Sequence, residues 1–300
     1  MKKIEIVEEV NDRLDQYLSK ETDYSRSQIQ KMITDGNILV NNNKSKSSLG
    51  LKIGDIITID EPEMDELNAN PEKMDLDIVY EDEDIIVVNK QNGLVVHPAV
   101  GNNSGTLVNG LVYHSKNLSD INGEFRPGIV HRIDAYTTGL LVVAKNNKAH
   151  EFLARQLEEK TTHRKYIALV WGVINNDTGT IDAPIGRDEK DRKKMAVTAN
   201  NSKYAITHFK VLKRFKSATL IEVELETGRT HQIRVHMDYI GHPVVNDPVY
   251  GNHKLIDDSG QCLHAKELGF IHPTTKEYVE FDSELPQCFI NILNKFEEEV

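Results

Sequence analysis

The stretch Arg126-Pro127-Gly128-Ile129-Val130-His131-Arg132-Ile133-Asp134-Ala135-Tyr136-Thr137-Thr138-Gly139-Leu140-Leu141 places turn residues and charges directly before an apolar run. A carboxylate at such a junction can lie at the mouth of a sheet, partly removed from water, beside guanidinium groups that keep it ionised. Asp134 is therefore the first candidate for a reactive group. An aspartate that only makes a loop hydrogen bond explains the pattern equally well.

The sequence on both sides of this stretch consists of short apolar runs separated by helical patterns. The runs that predict strands are residues 84–89, 139–144, 166–170 and 219–225. Helices are predicted over 148–159, where Phe152, Leu153 and Leu157 form one face, and over 234–240. Because the two patterns do not alternate strictly, we expect an α+β fold with a mixed, largely antiparallel sheet and flanking helices.

The N-terminal sixty residues predict a smaller unit. Apolar residues between positions 11 and 36 recur at helical spacing with a polar break at 21–24, and strands are predicted at 37–40 and 52–59. An acidic, proline-containing stretch without periodicity follows. We therefore expect three segments: a small αβ domain over 1–60, a linker over 61–75 and a larger domain over 76–300.

Composition excludes several classes of protein. With 39% hydrophobic and 28% charged residues the chain is globular, and no apolar run reaches the roughly 20 residues of a membrane helix. Only two cysteines, Cys262 and Cys288, are present, which favours a reducing compartment. The first residues lead into acids rather than an apolar signal core. We expect a cytoplasmic protein with no membrane partner.

The net charge of -11 would by itself argue against a nucleic-acid partner, but the acidic residues are concentrated in one segment. Residues 53–84 hold thirteen acidic residues against one lysine, and the remainder of the chain is close to neutral with local basic clusters. Arg187 lies in one such cluster, where many cations adjoin acids, so a solvated surface competes with phosphate binding. Binding of a polyanion therefore remains open.

Two further clusters combine polar side chains with predicted strands. Residues 226–236 hold two arginines and two histidines. Burying so many polar side chains costs free energy, which favours a functional role for them. His231 and His236 are five residues apart and do not share a helical face, which disfavours a metal site. In the third cluster Tyr166 follows Arg164 and Lys165 and could stack on a base, although a core tyrosine is the simpler interpretation.

Taken together, these motifs resemble the RluA/RluD-type RNA pseudouridine synthases, over nearly the whole chain. The matching segments are 90–98, 105–109, 131–134, 165–170, 184–187, 227–236 and 263–265. In the first domain, Arg13-Leu14-Asp15, Ser25-Arg26-Ser27-Gln28, Gly36, Val40-Asn41 and Gly54-Asp55 resemble the S4 RNA-binding domain. Several ordered motifs are more specific than any one of them.

The resemblance implies a pseudouridine synthase fold and an isomerase that converts uridine to pseudouridine in structured RNA, above all 23S-type large-subunit ribosomal RNA. It implies no cofactor and no metal, and we expect a monomer. Asp134 is the implied catalytic carboxylate, by a covalent or an elimination route, and Arg234 its ion-pair partner. Tyr166 is expected to stack on uracil, and Arg132 to fill the space that the flipped nucleotide leaves.

The resemblance also implies residues that bind substrate and RNA. Ile233, Arg229 and His131 are expected to contact the substrate. The expected RNA contacts are Arg13, Ser25, Arg26, Gln28 and Lys31 in the first domain, and Arg164, Lys165 and Arg187 in the second.

The sequence departs from the family directly after the catalytic aspartate. Ala135 and Tyr136 stand where family members have Lys and Asp, which puts local RNA contacts or loop geometry in question. The alternative is therefore an RNA-binding or ribosome-assembly factor on the same fold whose catalysis has lapsed. Because Asp134, Arg132, Tyr166 and Arg234 are all present, we expect an active enzyme.

Overall fold

The computed structural model describes residues 2–8, 10, 12–22, 24, 26–60, 69–99, 102–123, 126–191, 194–251 and 253–298. The chain divides into two compact units, Met1–Glu66 and Leu67–Val300, here called the N-terminal and C-terminal units. Most of the expected linker, residues 61–68, lies outside the described residues. Within them, no helix combines the length and apolarity that crossing a bilayer requires.

The N-terminal unit packs two helices on a four-stranded antiparallel sheet of order β1-β4-β2-β3. Its elements are α1 (Leu14–Glu21), α2 (Arg26–Asp35), β1 (Lys2–Glu5), β2 (Ile38–Val40), β3 (Asn43–Lys44) and β4 (Ile56–Ile59). The apolar residues at helical spacing, Leu14, Leu18, Ile29 and Ile33, are all buried in its core. The two predicted helices are thus confirmed.

The C-terminal unit is built on a nine-stranded sheet of order β5-β6-β7-β14-β8-β13-β12-β9, with β15 paired to β14. Its strands are β5 (Ile78–Glu81), β6 (Ile85–Lys90), β7 (Thr138–Ala144), β8 (His163–Trp171), β9 (Thr178–Asp182), β12 (Ile206–Arg214), β13 (Ala218–Leu225), β14 (Leu263–Ile271) and β15 (Tyr278–Asp282). A separate hairpin pairs β10 (Ile185–Arg187) with β11 (Met195–Val197). Among the strands that the structure describes, only β7 and β14 pair in parallel, so the predicted mixed, largely antiparallel sheet is confirmed.

Four helices cover the two faces of this sheet. They are α3 (Leu107–His114), α4 (Asn147–Glu158), α5 (Gln232–Tyr239) and α6 (Gln287–Glu297). Side chains alternate along each strand, so Ile86 and Val88 of β6 join a core with α3 and α5, whereas Ile85 and Val87 pack with α4. Helix α6 covers the second face near β8.

Gly139 allows the start of β7 to lie close to the backbone of β14. A Cβ atom at this position would lie 2.2 Å from the carbonyl oxygen of Ala265 on β14, and the φ of Gly139 is +104°. Only glycine meets both conditions. The loop that carries Asp134 therefore ends at a central, closely packed strand, which limits its freedom to move.

Candidate active site

A cavity of about 370 Å³ lies beside the sheet face that α5 covers. Its walls come mainly from the loop before β7, from β8, and from residues 228–234 at the start of α5. The lining side chains from these three parts include His131, Arg132, Asp134, Arg164, Tyr166, Arg229, His231, Ile233 and Arg234. Segments separated by up to a hundred residues thus meet at one place, and they are the three clusters singled out in the sequence.

Asp134 lies in this cavity with a side chain that is 20% exposed. Its backbone carbonyl accepts a hydrogen bond from the amide of Thr137, which closes the turn before β7. Arg234 Nη1 donates to Asp134 Oδ2 at 2.8 Å. The expected ion pair is therefore present, and one carboxylate oxygen is left without this donor.

Arg234 is shared between Asp134 and a second carboxylate, Asp247, which the sequence analysis did not identify. Arg234 Nε donates to Asp247 Oδ2 at 2.6 Å and Nη2 to Oδ1 at 2.8 Å. Burial alone would lower the pKa of Arg234, but the hydrogen bonds and charge of Asp247, with the charge of Asp134, raise it. The guanidinium therefore stays charged.

Asp247 is itself held rigidly. Its side chain is fully buried, and Oδ1 also accepts the backbone amides of Val249 and Tyr250. The Tyr250 ring lies 5.0 Å from the guanidinium carbon of Arg234. These contacts leave Arg234 with its Nη1 directed to Asp134, so Asp247 sets the position of the pair.

His231 closes the network from the other side. Tyr250 accepts the amide of Met195, so its hydroxyl proton is available to His231 Nδ1 at 2.8 Å. His231 Nε2 then faces Asp134 Oδ1 at 3.7 Å. Burial lowers the pKa of His231, although the charge of Asp134 opposes this. A neutral imidazole beside Asp134 leaves the carboxylate's charge in place.

The apolar wall of the cavity is formed by Tyr166, Ile233 and Leu263, which belong to one buried cluster. Burial raises the pKa of the Tyr166 phenol, so the ring is neutral. A flat aromatic face beside aliphatic side chains is suited to a planar base. The structure thus places Tyr166 in the core and in the cavity wall at once.

Arg132 and His131 have different surroundings although they are adjacent. Arg132 is exposed, and its Nη1 lies 3.1 Å from His97 Nε2. Burial, with the charges of Arg132 and Arg126, lowers the pKa of His97 to about 4, so the neutral ring accepts this bond. His131 lines the cavity but accepts the backbone amide of Val142 at Nε2, which makes it a support for the loop.

Lys90 fixes the other end of the loop and was not recognised as a site residue. Its side chain is buried, and Nζ donates to the carbonyl oxygens of Gln91, Leu94 and Ala135 at 2.7–3.0 Å. Position 135 is therefore held through its backbone carbonyl. Because this contact needs no particular side chain, the departure at Ala135 leaves the loop anchored.

Tyr136 lies away from the chemistry. It is exposed, does not line the cavity, and packs against Gly260. Since Asp134 and Arg234 form their ion pair with tyrosine at position 136, this departure from the family pattern leaves the pair intact.

The expected RNA contacts in the N-terminal unit surround a buried carboxylate. Arg13 Nη2 and Arg26 Nε donate to Asp15 Oδ2 at 3.1 and 2.9 Å, with Gln30 as a third donor. Both arginine side chains remain about half exposed. Lys31 on α2 is exposed, whereas Ser25 and the side chain of Gln28 lie outside the described residues.

The three expected RNA contacts in the C-terminal unit occupy different environments. Arg164 lines the cavity, and Arg187 is exposed on the β10–β11 hairpin. Lys165 alternates with Tyr166 along β8 and forms ion pairs with Glu222 and Glu267, at 3.5 and 2.9 Å. It does not line the cavity, and its charge is already compensated.

Candidate metal ligands are occupied by protein hydrogen bonds. His236 uses both ring nitrogens, on Thr207 and on the carbonyl of Ala183. Asp82, Asp84 and His272 lie close enough to hold an ion. However, His272 Nδ1 accepts the amides of Thr274 and Thr275, so Nε2 carries the proton and donates to Asp82. In this arrangement both ring nitrogens of His272 take part in protein hydrogen bonds.

The chain is similar to known proteins over nearly its whole length. A sequence profile of the family described as RNA pseudouridylate synthase matches residues 84–239, and that of the S4 domain matches residues 12–57. The chain is 55% identical over 287 residues to the uncharacterized RNA pseudouridine synthase YlyB of Bacillus subtilis, covering 95% of this chain and 94% of that protein.

A second relative and a solved structure extend the comparison. The chain is 46% identical over 295 residues to the ribosomal large subunit pseudouridine synthase D of Neisseria meningitidis serogroup B, covering 94% of this chain and 78% of that protein. The structure of human RNA pseudouridylate synthase domain containing 1 superposes with a TM-score of 0.58 at 27% identity, over 74% of this chain and 95% of that one.

Proposed function

Because the chain belongs to the RNA pseudouridine synthase family, we propose that it isomerises uridines of large-subunit ribosomal RNA to pseudouridine. The family resemblance, the fold and the enzyme class expected from the motifs are confirmed by this membership. The choice of ribosomal RNA is supported by relatives named for the large ribosomal subunit. It is also supported by the S4 domain.

The observation that carries the proposal is the position of the Asp134 carboxylate. It lies in a cavity and forms an ion pair with the guanidinium of Arg234, which also donates two hydrogen bonds to the buried Asp247. Arg234 gives this carboxylate a charged hydrogen-bond donor in a site that an apolar wall partly shields from water. An ionised oxygen beside a ribose is what the reaction requires.

The reaction moves one bond and leaves the composition of the nucleotide unchanged. The bond from N1 to C1′ breaks, uracil turns, and a new bond forms from C5 to C1′, while C5 loses a proton and N1 gains one. On the first route Asp134 bonds to C1′ as N1 leaves, and this bond breaks when C5 attacks C1′. On the second route Asp134 removes a proton from C2′ as N1 leaves and returns it to C2′ when C5 bonds to C1′. Neither route needs an external reactant, so we propose a reaction without cofactor or metal.

The neighbouring side chains position the uracil and keep it in the cavity after it is detached. Tyr166 stacks on the uracil, and Ile233 bounds it, which retains the detached base until C5 faces the sugar. The target uridine must leave its helix, at a cost of a few kcal/mol, and Arg132 takes its place. Arg229 at the cavity, Arg187 on its hairpin and His131 in the loop complete the substrate contacts.

We propose that residues 1–60 act as an RNA-binding domain, joined by a linker over 61–75 to a catalytic domain over 76–300. Arg13, Arg26 and Lys31 present positive charge there, and RNA phosphates are the natural partners of such groups. Ser25 and Gln28 belong to the same motif. We further propose that the protein acts as a cytoplasmic monomer.

The proposal is tested by converting large-subunit RNA from cells that lack this protein. Purified enzyme should produce carbodiimide-reactive pseudouridine at defined positions, read by primer extension. Asp134→Asn should abolish conversion while the Kd for the same RNA stays within about threefold. A wild-type protein that binds this RNA but modifies no uridine would instead be an assembly factor.

A further inference from the structure

Arg164 is a buried cation for which the described part of the protein provides no counter-charge. The residue is 8% exposed, and its Nε atom is buried without a hydrogen-bond partner. Among the residues that the structure describes, none forms an ion pair or a side-chain hydrogen bond with its guanidinium. The side chain nevertheless lines the active-site cavity. A buried charge without a partner is rare in native proteins unless a ligand supplies the partner.

The titratable groups nearest to Arg164 do not neutralise it. His131 faces it as a neutral ring, because burial and the charge of Arg164 lower its pKa to about 3. Burial raises the pKa of Tyr166, so the phenol is neutral as well. Glu158 lines the same cavity but is not within ion-pair distance of Arg164. The positive charge of Arg164 is therefore available to an anionic group that enters the cavity.

Gly228 leaves the space that the guanidinium occupies. A Cβ atom at position 228 would lie 2.7 Å from Arg164 Nη1. The φ of Gly228 lies outside the range that only glycine adopts readily, so the backbone there is unstrained and the Arg164 guanidinium packs directly against it. The segment before α5 thus closes over Arg164 without displacing it.

We propose that Arg164 binds the phosphodiester next to the flipped uridine, as an anion receptor inside the active-site cavity. This inference rests on the proposed function. Arg164 and Tyr166 are two residues apart on β8, so they face the same side about 7 Å apart. With the base on Tyr166 and its ribose at Asp134, the adjoining backbone is the part of the substrate left for Arg164.

The chemistry of the guanidinium favours phosphate over uracil. A phosphodiester carries a permanent negative charge and matches the planar fork of an arginine. Uracil is neutral until its glycosidic bond breaks, so it would form an ion pair with Arg164 only once that bond is breaking. Phosphate binding therefore predicts an effect on affinity, whereas pairing with the departing base predicts an effect on turnover.

The test compares Arg164→Gln with wild-type enzyme on an RNA stem-loop that wild type is first shown to modify. Without that conversion the proposed function fails, independently of Arg164. We expect the Kd of the variant to rise about 10- to 100-fold, the value for one charge-assisted pair. The slope of log K against log salt should fall by about 0.7 to 0.9, and the rate at saturation should change less than threefold.

Uncharged methylphosphonates identify the phosphate concerned. One substitution beside the target uridine should weaken binding to wild type and have no further effect on Arg164→Gln. Lys266→Gln removes a cation that is already paired with Asp282 and should keep the full methylphosphonate effect. Equal methylphosphonate effects in Arg164→Gln and wild type would overturn the proposal, as would a variant that loses turnover instead of affinity.

A stability measurement separates a ligand-binding group from a structural one. Replacing an uncompensated buried charge by an apolar side chain of similar length removes a cost of folding. Arg164→Met without RNA should therefore melt no lower than wild type. A fall of several degrees together with unchanged RNA affinity would identify Arg164 as a structural residue.

Discussion

The role of Asp247 can be tested by Asp247→Asn, which removes one charge and keeps the shape. Oδ1 of Asp247 accepts two backbone amides as well as Arg234 Nη2, so the amide oxygen of Asn must take that place. The amide nitrogen then faces Arg234 Nε, where the native distance is 2.6 Å. Two donors cannot share this contact, and Arg234 must move.

The size of the effect follows from burial. Breaking a fully buried ion pair by removing one partner costs about 3–5 kcal/mol of folding stability. For a unit of this size that lowers the melting temperature by roughly 6 to 20 °C. A guanidinium displaced by about 1 Å misplaces Asp134, and such shifts cost about 100-fold in rate. RNA affinity should change less than threefold.

The assay is single-turnover conversion of a modified stem-loop, with thermal melting and Kd measured on the same preparations. Ile292→Ala is the control, because it removes about 2–5 kcal/mol from the core beneath α6, on the other face of the sheet. It should melt lower and keep its rate. If Asp247→Asn keeps the wild-type rate while its melting temperature falls, Asp247 is only a structural partner and the positioning argument is wrong.

Two further predictions concern buried histidines. His97→Leu removes the acceptor that holds Arg132 and should lower kcat/KM by about tenfold, whereas His97→Gln keeps an acceptor and should stay within threefold; equal rates for the two would contradict this. The pKa values of His97 and His264 are lowered to about 4, first of all by burial, so the unfolded chain binds protons that the folded one does not between pH 6.5 and about 4. The free energy of unfolding should therefore decrease as the pH is lowered through this window, by up to about 1.4 kcal/mol per pH unit for each ring. Urea titrations at pH 6.5, 5.5 and 4.5 check this. A free energy of unfolding that stays constant across the window would refute it.

Local patterns predicted several of the helices and strands and singled out Asp134 as a candidate. The spacing of Leu14, Leu18, Ile29 and Ile33 gave both N-terminal helices, because burial of one helical face is visible within ten residues. The apolar runs around Asp134 and Tyr166 predicted β7 and β8. The Asp134 to Arg234 contact came from the family resemblance, since nothing local relates positions a hundred residues apart.

The residues that were missed lack any local signal. Asp247 stands between Asn246 and Pro248, a context typical of an ordinary turn. Lys90 at the end of β6 has the appearance of a polar flanking residue, although its side chain is buried. The sequence also treats Arg164 and Lys165 alike. Because side chains alternate along β8, Arg164 faces the cavity, whereas Lys165 faces the opposite side of the sheet and pairs with Glu267.

The sharing of Arg234 between two carboxylates has an electrostatic consequence for the reaction. Asp134, Arg234 and Asp247 together carry a net charge of -1, whereas a simple pair with Arg234 would be neutral. Breaking the bond from N1 to C1′ leaves positive charge on the ribose, and a site with a net negative charge stabilises that charge. The cations Arg132, Arg164 and Arg229 line the same cavity and suit the RNA backbone. In the proposed reaction the carboxylates thus provide negative charge at the sugar and the arginines provide positive charge at the phosphates. Asp247 prevents Arg234 from neutralising the negative charge at the sugar.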